Sequence, residues 1–436
     1  MKKTVLFVGP VTTRSGYGAR SRDICRSIIE VGYDLTIIPT RWGTTPMNVT
    51  DPDLIPYIAR EPVRTQPDIF IQCTIPSEFQ SAGKVNIGIT AGIETDNCPL
   101  EWIEGCNRMD LVLTSSEHSK EVFTSVKYEK RQGDQLLKVI SCERPVEVLF
   151  EGVDTDIFNI VSDVETRGES VVKQLNDIHE EFAYLFVGHW LQGDVGHDRK
   201  NIGKLVETFL LTFADEPNPP ALVLKTNTAG FSIIERNRVM NKVSEIISKI
   251  QKVSRDSVLP NVYVLHGDLE DDEMNLLYNH PKIKAMVSFT RGEGFGRPLL
   301  EFTTSGKPVI APNWSGQLDF LHPTYSTLLP GTLESVHHSA TNKWIMAESK
   351  WYTVNYTIAG QRMKDCFKNY DKYLKRANKQ REHTLDNFKL SDMTRNIEVY
   401  LNQSAFAGEV IDTSVIRSNV PQELELNMPK IEDTNE

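Results

Sequence analysis

Residues Arg291 to Phe302 read RGEGFGRPLLEF, so Glu293, just after Gly292, and Glu301 stand eight positions apart with Gly294, Gly296 and Pro298 between them. Ionised carboxylates only accept hydrogen bonds, which suits a pair of them to recognising hydroxyl groups. The preceding KAMVSF reads as a strand and TRGEGFG as a loop. PLLEFTTSG then reads as a helix, with Pro298 in its first turn and Gly306 closing it. Glu301 is expected in that first turn, where the helix dipole favours an acid and accounts for it without any ligand. Glu293 precedes the helix inside the glycine loop; it either meets a ligand or caps its own loop. The amides from Gly294 to Gly296 are candidates to meet further oxygens.

Two other loops carry chemistry. In FVGHWLQGDVGHDRKNIGKLVETF a strand ends at Gly188, a polar loop follows, and Arg199 and Lys200 stand just before an amphipathic helix. Cations at a helix start oppose the dipole, and a bound pyrophosphate would resolve that conflict. His189, Asp194 and His197 share the loop but lack the fixed spacing of a metal site, so no metal is expected. GPVTTRSGYGARS follows the first strand; Gly16 and Gly18 allow close backbone approach, the helix after them offers its positive end to a phosphate, and Arg14 and Arg20 add charge. This loop is neither G-x-G-x-x-G nor a Walker loop, and a glycine turn before a helix accounts for the same residues.

The elements that must position these loops are legible from rhythm. Short apolar runs bounded by turn residues (TVLFVG, DLTIIP, DIFIQC, VNIGIT, LVLTSS, VEVLFEG) alternate with helical stretches such as ARSRDICRSIIEVG, which ends at Gly32 as a capped helix does. Continuous apolar strands separated by helices indicate a parallel sheet covered on both faces. The rhythm restarts with AYLFVG, ALVLKT, NVYVLHG, KAMVSF and PVIAP. The chain is therefore read as α/β, with a first Rossmann-like domain at 1–155, a linker or insertion at 156–180 and a second Rossmann-like domain at 181–354. Helices at 355–405 are expected to pack back toward the first domain, followed by an acidic, mobile tail at 406–436. Strands are expected to run out by about residue 330. In such sheets ligands bind beyond the carboxyl ends of the strands, where all three loops fall.

Bulk properties narrow the class. The 436 residues are 39% hydrophobic and 25% charged, as in soluble globular enzymes, and exceed what one core holds. A net charge of −11 argues against bulk attraction to nucleic acid or an anionic membrane, although about half of it sits in the segment after Gly408. A run with eight bases from Arg362 to Arg381 reads as a solvated helix face or as a surface for a polyanion. The six cysteines show no C-x-x-C pair and are expected as free thiols in a reducing compartment. MKKTVLFVGP is too short in its apolar run for a signal peptide, and no run approaches the ~20 residues of a membrane span. A cytoplasmic protein is expected.

EGFGRPLLE followed by SGKPVIAPNWSGQLDFL resembles the E-x7-E signature of the retaining glycosyltransferases of family 4, which have the GT-B fold: two Rossmann-like domains whose parallel sheets face each other across a cleft. ETDNCPLEWIEGCNRMDLVLTSSEHSKEVF is similar to the family's acceptor-domain segment, and VEVLFEGVDTDIF to the stretch that leads into its second domain. The resemblance covers roughly residues 1–405. It implies a nucleotide-sugar donor consumed as a co-substrate, with no cofactor and no metal. Glu293 would contact the donor sugar hydroxyls, with Glu301 on the nucleotide ribose and Lys200 on the diphosphate. Arg199, Lys225, His189, Gly16, Gly18, Gly294, Phe295 and Gly296 would line the donor site, and Glu94 and Asp96 the acceptor side. The family's arginine after V-G is His189 here, and its N-G-V-D is Glu151 to Asp154. The expected reaction is sugar transfer to a hydroxyl acceptor, by default a glycan or lipopolysaccharide. The alternatives are transfer to hydroxymethylated bases of viral DNA, nucleotide-sugar epimerisation, and sugar-nucleotide binding without catalysis.

Overall fold

The computed structural model describes residues 2–49, 51–228 and 230–404; the acidic segment expected at 406–436 lies outside them. The first half contains β1 (Thr4–Gly9), α1 (Gly16–Val31), β2 (Asp34–Pro39), β3 (Ile69–Cys73), β4 (Val85–Ile89), α2 (Leu100–Cys106), β5 (Leu111–Thr114), α3 (Glu117–Ser125), the pair β6 (Lys127–Gln132) and β7 (Gln135–Ser141), and β8 (Val146–Val148). Six of these strands form a parallel sheet in the order β2-β1-β3-β4-β5-β8. The second half contains α4 (Ser170–Asn176), β9 (Ala183–Val187), α5 (Ile202–Thr212), β10 (Ala221–Lys225), α6 (Ile233–Val253), β11 (Val262–Leu265), α7 (Asp271–Asn279), β12 (Ile283–Val287), α8 (Arg297–Thr303), β13 (Val309–Pro312), β14 (Thr327–Leu329), β15 (Gly331–Ser335) and β16 (Lys350–Val354). Its parallel sheet runs β11-β10-β9-β12-β13-β14. The chain ends in α9 (Tyr356–Lys368), α10 (Tyr370–Asn387) and α11 (Leu390–Ser404).

Local chemistry sets the boundaries. Ser15 caps α1 by accepting from the Gly18 amide, and Gly32, at φ 94°, ends it in the left-handed conformation that glycine adopts without strain. The central strands are buried on both faces, as their unbroken apolar runs require. Two antiparallel pairs depart from the sequence expectation. In β6–β7 the first strand is charged and the second, though apolar at Leu136, Leu137, Val139 and Ile140, is mostly exposed, so neither shows the alternation of a half-buried strand. β15–β16 extends strand structure beyond residue 330, and only β16 carries a buried run.

The C-terminal helices divide their packing between the halves. Tyr370 Oη donates to Lys284 O, and Arg376 donates to Thr324 O and Ser326 O, which fixes the α9–α10 region on the second half. α11 crosses to the first half, where Ser27 and Thr394 hydroxyls meet at 2.8 Å and Tyr400 Oη donates to Val148 O. At the crossing, Val153 N donates to Phe388 O and Leu390 N to Val153 O, each at 2.9 Å. Phe388 stands against Phe150 and Phe320, and Phe320 against Phe295, an aromatic chain joining the first half to the loop before α8. Among the described residues no helix is long and apolar enough to cross a membrane.

At this crossing Gly152 leaves no room for a side chain, because a Cβ there would lie 2.5 Å from Leu390 Cα and 2.8 Å from Lys389 O, both backbone atoms. Gly152→Ala is expected to destabilise the protein by about 1–3 kcal/mol through overpacking. Thermal denaturation checks this, and an unchanged midpoint would show that the crossing yields without strain.

Candidate functional site

Glu293 lies in the loop between β12 and α8, at the carboxyl end of the second sheet. Its backbone is held on both sides: its amide donates to Ser315 Oγ at 2.9 Å, and its carbonyl accepts from Gly316 N at 3.0 Å. The residue is only 8% exposed. One carboxylate oxygen meets Lys200 Nζ at 2.5 Å, and the other meets Arg199 Nη1 at 3.4 Å. Burial pushes this carboxyl up, but the charges of Lys200 and Arg199 outweigh it and hold Glu293 below the ordinary range. Burial also pulls Lys200 down, against the pull of Glu293. A buried charge pair of this kind is costly to break, because removing one partner strands the other.

Arg199 and Lys200 stand between β9 and α5, as the sequence places them. Arg199 Nη1 also donates to Gly292 O at 3.0 Å and lies 3.4 Å from Glu94 Oε1 of the first half. Two carboxylates from opposite halves thus share one guanidinium group. The loops are seated by Arg291, which donates to Gly196 O and to the Thr353 hydroxyl and stacks over Trp351. Its amide donates to Arg199 O at 2.7 Å, and its carbonyl accepts from Tyr352 N at 2.8 Å. β16, which sequence reading missed, is therefore the floor of this loop pair.

The loop glycines answer to the opposite half. A Cβ on Gly292 would lie 2.0 Å from Glu94 O, and one on Gly294 would lie 2.0 Å from Ala91 O. Only a bare backbone permits this approach. Ser115 Oγ, another residue that sequence reading missed, is 2.6 Å from Ala91 O and 2.9 Å from Gly294 O and stitches the two loops together. Gly296, at φ 99°, starts α8 in the left-handed region, and Phe295 packs into the core against Phe320 rather than lining an open surface.

Glu301 does not stand in the first turn of α8. The helix begins at Arg297, which puts Glu301 one turn further in, so the dipole is not its explanation. It accepts instead from Arg297 Nε at 2.8 Å and Tyr278 Oη at 3.2 Å. Arg297 reaches on to Asp23 of α1 at 2.5 Å. Burial outweighs the Arg297 charge and pushes the Glu301 carboxyl up to about 7. The two glutamates thus have separate partners and opposite electrostatic characters.

The remaining expected residues are distributed around this centre. Lys225, at the end of β10, donates to Gly267 O at 2.5 Å. His189 Nδ1 meets Thr228 O at 3.1 Å; desolvation, and then the Lys200, Arg199 and Lys225 charges, lower its pKa despite the Thr228 bond. His197 stacks on His337, with ring centroids 3.9 Å apart. Gly16 opens α1, whereas Gly18 packs on its own loop, where a Cβ would meet Thr13 O at 2.2 Å. Tyr17, between them, reaches the loop after β4: its hydroxyl meets Thr90 Oγ1 and accepts from Ala91 N. Arg14 bridges to Asp268 and Glu270 of the second half, but Arg20 turns into the first core toward Leu149 O and Glu151 and offers no charge to a ligand. Asp96 exchanges hydrogen bonds with the Lys350 backbone, so it is a link between halves rather than a free acid.

The sequence matches no protein-family model and no curated protein. Solved structures do resemble this chain. The Anabaena protein HepE in complex with UDP and glucose aligns at TM-score 0.60 and 14% identity, over 92% of this chain and 99% of that one. Sucrose-phosphate synthase from Thermosynechococcus elongatus aligns at 0.60 and 13%, over 92% and 99%. A UDP-forming α,α-trehalose-phosphate synthase from Burkholderia vietnamiensis aligns at 0.58 and 11%, over 94% and 99%. With two parallel six-stranded sheets, this chain has the GT-B fold of these glycosyltransferases.

Asp319 adds a titratable link across the halves that sequence reading did not single out. Its carboxylate accepts from the Glu117 amide at the start of α3 at 3.0 Å, and burial pushes it up to about 7. A carboxyl whose folded pKa lies above its unfolded value of about 3.9 stabilises the fold less as pH rises between the two. Asp319 and Glu301 should therefore each make stability fall from about pH 4 to about pH 7, by at most about 1.4 kcal/mol per pH unit. Asp319→Asn keeps an acceptor for Glu117 N and should remove one of these contributions. Denaturant titrations across that window would show a slope unchanged from wild type if Asp319 were ordinary.

Proposed function

We propose that this protein is a retaining glycosyltransferase of family 4 that moves a sugar from a nucleotide diphosphate to a hydroxyl acceptor. The observation that carries the reading is the Lys200–Glu293–Arg199 cluster, buried where the carboxyl ends of both sheets meet. A diphosphate would draw Lys200 and Arg199 to itself. That would free the Glu293 carboxylate, already held ionised, to accept from sugar hydroxyls. Breaking the bond from the anomeric carbon to the phosphate oxygen leaves growing negative charge on the leaving group. Lys200 and Arg199 are the preorganised cations to stabilise it. Glu293 is assigned to sugar recognition and not to covalent attack, and Glu301, near the start of α8, to the ribose. Lys225 and His189 extend the donor side, and Glu94 with the Ala91–Gly92 turn faces the acceptor side.

The likeness to HepE, which was solved with UDP and glucose, supports a uridine nucleotide sugar as the first donor to test. A glycan hydroxyl is the favoured acceptor. The arginines of α1 that would have served a nucleic-acid acceptor are engaged within the protein: Arg22 with Val11 O, Thr13 O and Asp51, and Arg26 with Asp51 and Asp53.

Diphosphate and sugar recognition should separate by mutation. Lys200→Ala should weaken UDP binding and transfer together. Glu293→Ala should keep UDP binding, lose the added affinity of UDP-glucose over UDP, and reduce turnover by about 10²–10³-fold. Calorimetry with UDP and UDP-glucose, and anomeric NMR of the product, check this. Full transfer by Glu293→Ala, or an inverted product, would sink the assignment. Consumption of the nucleotide sugar with no acceptor present would point to epimerase chemistry instead.

A further inference from the structure

Three cysteines that the donor site does not use, Cys98, Cys106 and Cys142, gather in one cluster of the first half. Cys106 is the last residue of α2, and Cys142 directly follows β7. The segments carrying them are pinned together by a single residue, Asn107. Its Oδ1 accepts from Glu143 N at 2.7 Å, its Nδ2 donates to Ser141 O at 2.8 Å, and its carbonyl accepts from Arg144 Nε at 3.3 Å. Neighbours of Cys142 on both sides are thus bonded to the neighbour of Cys106, and Cys142 Sγ itself donates to Arg144 O at 3.6 Å. Cys142 is half-buried and reachable from solvent, whereas Cys106 and the other four cysteines are buried.

We propose that Cys106 and Cys142 form a disulfide-exchange site that reacts with low-molecular-weight disulfides and closes an internal Cys106–Cys142 bond. The two sulfurs have the asymmetry such a site needs. Cys142 is the sulfur that solvent reaches, and its neighbour Cys106 lowers its thiol to about 7 against the opposing effect of burial, while Cys142 and burial raise the buried Cys106 well above its ordinary value. Cys142 is thus the attacking thiolate and Cys106 the resolving thiol. In the first step the Cys142 thiolate attacks one sulfur of the incoming disulfide, forming a mixed disulfide and expelling one thiolate. Cys106 then gives up its proton to solvent and attacks Cys142 Sγ, expelling the second thiolate. Two protein thiols are oxidised and one external disulfide is reduced to two thiols. The new bond would tie the base of the β6–β7 hairpin to α2, which the loop carrying Glu94 and Asp96 leads into.

The native full chain, treated with the chromogenic disulfide 5,5′-dithiobis(2-nitrobenzoate), distinguishes this from ordinary surface labelling. Wild type should release two aromatic thiolates per chain and retain no aromatic adduct, with a Cys106–Cys142 linked peptide on mass mapping. Cys106→Ser should release one and keep the adduct on Cys142, and Cys142→Ser should release none. Cys98→Ser should behave as wild type. A stable adduct on wild-type Cys142 would overturn the proposal, as would unchanged reactivity of Cys142→Ser or loss of the second release in Cys98→Ser. The peptide map of wild type decides the matter even if Cys106→Ser fails to fold.

Discussion

Glu293 is a carboxylate taken out of water and kept charged, and most of the molecule's central architecture follows from that requirement. An uncompensated buried charge is expensive, so two cations must come to it with their own positions fixed. Lys200 and Arg199 come from a loop three strands earlier in sequence but adjacent in the sheet, because β9 and β12 are neighbours. The parallel order of the second sheet is what brings an acid and its bases, nearly a hundred residues apart, to one edge. Arg199 then reaches Glu94 and makes the first half a party to the same electrostatic cluster.

Holding such a cluster takes rigid support, and the support is mostly backbone. Gly292 and Gly294 let the Glu293 loop lie against the Ala91–Glu94 backbone, and Gly316 lies against the Gly294 carbonyl, where a Cβ would be 2.2 Å away. Ser315 and Ser115 fasten these layers, and Asp319 carries the next turn to the start of α3. The glycines that look in sequence like a flexible ligand loop are here the means of close packing between halves. Their freedom is used to remove side chains more than to permit motion.

How much of this was legible follows from the range of each interaction. The alternation of apolar runs and helices marked the two sheets, and the punctuation around KAMVSF and FVGH put Glu293, Arg199 and Lys200 on loops at strand ends. Those signals are local, so a sequence carries them. β16 seats Arg291 through tertiary hydrogen bonds, yet its strand lies past the stretch where the apolar rhythm fades. The β6–β7 hairpin is mostly exposed, with charges on β6 and unalternating apolar residues on β7, and has no periodicity to read. Arg14 and Arg20 sit six residues apart in similar surroundings, but one bridges the halves and the other is buried in the first core. The path of a long side chain depends on what the rest of the fold places beside it. Glu301 was misplaced by a single turn because a Gly-Arg-Pro helix start leaves its first residue ambiguous.

That one-turn difference changes what Glu301 can do. In the first turn it would be a charged acid satisfied by backbone amides, with little reason to respond to a ligand. One turn further in it shares Arg297 with Asp23 of α1, and its carboxyl is raised to about 7. Burial is the larger influence on that carboxyl, and the Arg297 charge opposes it. Glu293, by contrast, keeps its charge through cations on its own half, and Arg199 carries the cluster on to Glu94 of the other. The two glutamates of one short motif are thus coupled unequally to the interface, one held by its own sheet and the other by the contact between halves.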